Sequence, residues 1–121
     1  MDQISNLLVS IKNAIMSKKG VIFAPKSKHK IAILEILKNS GYVNNFEVNA
    51  DSLKILINTN KLENLKLNID SKPSRRMYVK SKNIINPKKG LMILSTPKGV
   101  MDGKSAKKQN LGGERICTLE E

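Results

Sequence analysis

Residues 89–114 read KGLMILSTPKGVMDGKSAKKQNLGGE. Leu91 to Leu94 form an unbroken apolar run, the signal of a strand buried on both faces. After it come a polar, glycine-containing loop (STPKG), a short basic helix over 103–110, a paired-glycine turn at Gly112 and Gly113, and a closing strand from Glu114 to Leu119. This end of the chain therefore reads as mostly β with one short helix. Hydroxyls, lysines and backbone amides mounted on a rigid strand are a device for gripping phosphate and sugar.

Composition points the same way. Across 121 residues, 22 Lys and Arg against 10 Asp and Glu give a formal net charge of +12, a field that attracts polyanions rather than acidic proteins or neutral substrates. A membrane-surface protein would pair its basic face with Trp or Phe, whereas this chain has no Trp and only Phe23 and Phe46. No segment reaches the roughly 20 apolar residues of a membrane span. The start, MDQISNLL, has neither a secretory nor a transit pattern, so the expectation is a protein with no membrane partner that works where it is made. With Cys117 the only cysteine and His29 the only histidine, a disulfide within the chain and a zinc cluster are both excluded. Cys117, within ERICTL, reads as a buried structural thiol in a reducing compartment. Lysine outnumbers arginine 19 to 3, beside 13 asparagines, which fits an AT-rich genome.

Working back toward the N-terminus, Ile4, Leu7, Leu8, Ile11, Ala14 and Ile15 recur at helical spacing behind Asp2 as a candidate cap, predicting a helix over 3–17. VIFA at 21–24 predicts a short strand ended by Pro25. Ser27 is a possible cap for a second helix over 28–39, lined by Ile31, Leu34 and Leu37, with Gly41 suited to its C-terminal turn. YVNNFEV at 42–48, the alternation Leu53, Ile55, Ile57 and the alternation Leu65, Leu67, Ile69 predict three antiparallel strands. The fold class expected is α+β in two small domains: residues 1–69 in the order α-β-α-β-β-β, and residues 70–121 mostly β with one short helix, with DSKPSR at 70–75 opening the second.

The one hint of an enzyme fails on spacing. Gly99 to Ser105, GVMDGKS, mimics a nucleotide-binding loop, but that loop needs four residues between its glycines and here there are three. Too little chain follows Ser105 for a further strand carrying a magnesium-binding Asp. A Ser/His/Asp set would need His29, which sits between Lys28 and Lys30, where added positive charge lowers its basicity. No catalytic residue, cofactor or metal is expected.

Several segments in order, IKNAI at 11–15, PKSKHK at 25–30, Gly41-Tyr42, SKPSRRMY at 71–78, KGLMILSTPKGVMD at 89–102 and NLGGE at 110–114, give the chain its resemblance. It is similar, across essentially its whole length, to the bacterial-type small-subunit ribosomal protein eight family.

That resemblance implies a two-domain α+β protein, without catalysis, that binds the central domain of small-subunit rRNA and helps it assemble beside neighbouring small-subunit proteins, with its own mRNA as a possible second ligand. In the family, the C-terminal domain grips an irregular RNA helix from the minor-groove side, which in A-form RNA is the groove open to side chains. The resemblance assigns the loop residues Ser95, Thr96, Pro97, Lys98 and Gly99 to that grip, with side-chain hydrogen bonds going to the RNA. It adds Arg76 for phosphate, Tyr78 for stacking, and the turn Gly112, Gly113 and Glu114, with the carboxylate as organiser. In the first domain it assigns Lys12, Asn13, Lys26, Ser27, Lys28 and Lys30. Pro97 stands where the family usually has a second serine, removing a hydroxyl and an amide donor; Ser74 and Asp102-Gly103 also depart from the usual pattern. The compartment implied is a ribosome, in bacterial cytoplasm or in a mitochondrion or plastid.

Overall fold

The computed structural model describes residues 3–59, 66–70 and 77–120. The chain divides into two compact units, one reaching residue 65 and the other beginning at Lys66.

In the first unit, helix α1 (Gln3–Ser17) is followed by strand β1 (Val21–Pro25), helix α2 (Lys28–Asn39), and strands β2 (Val43–Val48) and β3 (Ser52–Ile57). The strands form an antiparallel sheet of order β1-β3-β2. The helical periodicity delivers Leu7, Leu8, Ile11, Ala14 and Ile15 of α1 to the core, and α2 adds Ile33, Leu34 and Leu37. They pack on the alternating residues Leu53, Ile55 and Ile57, also buried. The other side of β3, carrying Ser52, Lys54 and Leu56, is only half-buried.

Both ends of α2 are explained by local chemistry. Ser27 caps it, its hydroxyl oxygen accepting from the Lys30 N–H at 3.2 Å. At the other end Gly41 takes φ +88°, donating to the Lys38 carbonyl while Tyr42 donates to that of Leu37, the two-bond glycine stop of a Schellman motif. The Asn44-Asn45 pair, an interruption in a strand-like run, is absorbed by a register shift between Val43 and Asn45.

The second unit contains strands β4 (Lys66–Ile69) and β5 (Tyr78–Val79), a 3₁₀ turn (Ser81–Asn83), strands β6 (Gly90–Thr96) and β7 (Gly99–Asp102), helix α3 (Gly103–Lys108) and strand β8 (Gly113–Glu120). Its sheet runs β4-β8-β6-β7, with β5 also paired to β8. Leu94 and Met92 of β6 pack with Ile84 and with Ala106 of α3 in a small core that Val79 and Met101 complete.

The α+β, two-unit reading holds, with two corrections. The strand around Leu67 and Ile69, assigned above to the first domain, pairs with β8, Leu67 opposite Leu119 and Ile69 opposite Cys117. The division therefore precedes Lys66 instead of falling near residue 70. The second correction concerns the STPKG loop, which is tighter than expected: GVMD, for which no strand was expected, is strand β7, because Thr96 and Gly99 pair across a two-residue turn and the ladder continues to Ile93 opposite Asp102. No helix among the described residues is long and apolar enough to cross a membrane.

Candidate nucleic-acid interface

The site is built on one row of the second sheet. Tyr78 of β5 lies opposite Glu114 of β8, and Glu114 lies opposite Ser95 of β6. Residues opposed in an antiparallel pair share a face, so the phenol, the carboxylate and the hydroxyl stand side by side, though their sequence positions span 36 residues from Tyr78 to Glu114. Tyr78 is 72 % exposed. Its ring is therefore presented to solvent and is not packed in the core.

The two glycines preceding Glu114 make this closeness possible. A Cβ on Gly113 would sit on the carbonyl oxygen of Ser95, and one on Gly112 would crowd the Val79 carbonyl and the Cα of Lys80. Any larger residue would prise β8 away from β5 or β6. Between these strands lies an open depression of about 900 Å³. Of the residues expected from sequence, it gathers Tyr78, Ser95, Pro97, Gly112, Gly113 and Glu114.

It also contains residues the sequence reading missed: Lys80, Ser81, Lys82 and Asn110. Lys80 and Lys82 are exposed and give the rim its positive charge. Ser81 Oγ donates to Asn110 Oδ1 at 2.7 Å, tying the 3₁₀ turn to the end of α3. Asn110 adopts φ +59°. Its N–H donates to the Lys107 carbonyl and that of Leu111 to Ala106, so it fills the left-handed position of a second Schellman stop, one that asparagine tolerates. The run YVKSKN beginning at Tyr78 was the available signal, since alternating cation and hydroxyl next to an aromatic suit nucleic acid.

Thr96 departs from expectation. Only 8 % exposed, its hydroxyl donates to the Gly99 carbonyl at 2.8 Å and accepts from the Lys98 N–H at 3.2 Å. Those bonds stay inside the turn, so Thr96 shapes the hairpin. Lys98, Pro97 and Gly99 are exposed at its tip, Gly99 with φ +118°. Pro97 fits the first turn position, where no ladder bond needs its missing N–H.

In the first unit, Asn13, Lys26 and Lys28 are exposed and Lys12 is half-buried. Ser27 is half-buried as the α2 cap. Lys30 departs from the surface role: it is 3 % exposed, and its ammonium donates to the Pro25 carbonyl at 3.1 Å. Arg76 lies outside the described residues. No group of three or more His, Cys, Asp or Glu among the described residues is placed to hold a metal.

The sequence profile of the family described as ribosomal protein S8 matches residues 2–119. The chain belongs to the ribosomal protein S8 family. It is 38 % identical to the small ribosomal subunit protein uS8 of Bartonella henselae over 127 residues, covering 98 % of this chain and 96 % of that one. The protein of the same name from Bdellovibrio bacteriovorus is 39 % identical, with 98 % and 99 % covered. That of Vesicomyosocius okutanii is 39 % identical, with 98 % and 96 % covered. The family is one of ribosomal structural proteins, and this chain is accordingly not an enzyme.

Proposed function

We propose that the chain is a structural constituent of the small ribosomal subunit that binds the central domain of small-subunit rRNA directly and supports its assembly. The observation that carries this reading is the row Tyr78–Glu114–Ser95 on the floor of a depression rimmed by Lys80 and Lys82. An exposed phenol offers a face for a base or ribose, and short hydroxyls and backbone groups suit the wide minor groove, where shape and 2′-hydroxyls are read. Lysines at the rim meet phosphate. Glu114, in the middle of the row, orders the floor and accepts from a base or ribose donor. The relatives named above are bacterial, which favours a bacterial ribosome over an organellar one.

Footprinting on the small-subunit rRNA of the same organism, across a salt series, tests this. Protection should be confined to one irregular helix of the central domain, with log affinity falling by about 0.7–0.9 per neutralised phosphate for each decade of salt. Diffuse protection that vanishes with modest salt would leave only non-specific attraction and overturn the reading.

A further inference from the structure

The first unit carries an aromatic that its own core does not use. Of the chain's two phenylalanines, Phe46 lies opposite Ile55, on the side of the sheet that faces the helices, and is half-buried. Phe23 lies opposite Lys54, on the side no described element of this unit covers, and is 68 % exposed. It belongs to β1, the edge strand next to α1.

Phe23 also lines two adjoining depressions between β1 and α1, of about 190 and 440 Å³, which share Ser10, Ile22 and Phe23. Their α1 wall sets the hydroxyls and amides of Asn6, Ser10, Asn13 and Ser17 beside Leu7 and Ala14. Lys19 stands at one end, Lys26 and Lys28 follow the strand at the other, and all three are exposed. Within residues 3–59 eight lysines face only three carboxylates, Glu35, Glu47 and Asp51.

We propose that Phe23 stacks an unpaired RNA base, with the α1 groove beside it and its lysines holding the flanking backbone. This adds a base-stacking aromatic beside Asn13, Lys26 and Lys28, first-unit residues that the resemblance already assigns to RNA, and it rests on the rRNA-binding reading above. Cationic ends around an exposed ring and a hydroxyl-rich wall are the chemistry of a stacking platform for single-stranded segments. An apolar protein partner would leave these lysines facing it uncompensated.

Because the chain has no Trp, Phe23→Trp installs a single fluorescent indole at the proposed contact. Titration with a central-domain transcript of the organism's small-subunit rRNA should quench it saturably. Phe23→Ala and Phe23→Leu should each bind about 5- to 150-fold more weakly than the unaltered chain. The leucine variant keeps apolar bulk without a π face, and unchanged circular dichroism in both shows that the fold persists. If the unaltered chain binds while the indole is unquenched and both variants bind normally, Phe23 is no RNA contact and the inference falls alone. A spectral shift of the indole on adding other small-subunit proteins, with no response to RNA, would assign the surface to a protein and overturn it equally. If the unaltered chain fails to bind the transcript, the rRNA reading fails and takes this one with it.

Discussion

The Thr96 hydroxyl donates to the Gly99 carbonyl across the β6–β7 hairpin, at 2.8 Å, and so closes the turn that presents Lys98. Thr96→Val keeps the shape and loses both of that hydroxyl's bonds. Since water reaches the turn, the cost should be about 0.5–1.5 kcal/mol in urea unfolding. RNA affinity should fall with it, through a loosened tip. Thr96→Ser should restore both; a valine variant as stable as the original would show that the hydroxyl bonds contribute nothing.

Lys98 is exposed on that turn, and its contribution should separate cleanly from folding. Lys98→Ala is expected to leave unfolding unchanged, within about 0.5 kcal/mol. It should weaken rRNA binding and lower the slope of log affinity against log salt by about 0.7–0.9. An unaltered slope would mean that this ammonium meets no phosphate.

Gly113 has no such freedom to change. A methyl group there would land on the Ser95 carbonyl oxygen, with the Thr96 Cα also close. Both are strand backbone, which cannot rotate away as a side chain would. Gly113→Ala should cost about 1–3 kcal/mol and speed amide exchange where Ser95 and Glu114 pair. A substitution without effect on either would mean that β6 and β8 tolerate being parted at this point.

Most of the fold was legible because its periodicities are clean. Helices 3–17 and 28–39 appear as expected, since Ile4 to Ile15 repeat at helical spacing and Ser27 and Gly41 punctuate α2. What misled was pairing, which sequence spacing does not encode. Leu67 and Ile69 alternate equally well for either sheet, and only β8, some 50 residues on, decides between them. Likewise, Thr96 and Lys30 carry the groups an RNA site wants. Whether those groups face outward depends on neighbours, the Gly99 and Pro25 carbonyls, that already accept from them. Lys80, Ser81, Lys82 and Asn110 were missed for the converse reason: they join the site only because β5 and the end of α3 converge on the same depression.

Cys117 offers the last test. Burial, reinforced by the negative charge of Asp70, pushes its thiol from 9.0 up to about 12. The raised folded value means that the thiol's contribution to stability is complete below pH 9 and is lost as pH rises from 9 toward 12. Thiolate is the reactive form, so the folded protein should resist iodoacetamide at pH 8 and react once urea unfolds it. Asp70 also accepts from Thr118 Oγ1 at 2.8 Å and pairs with Arg115 at 3.2 Å. Asp70→Asn should therefore cost about 1–2 kcal/mol and lower the pH at which alkylation begins. Prompt labelling of the folded, unaltered chain at pH 8 would refute the burial; an unmoved alkylation profile in the variant would refute the part assigned to Asp70.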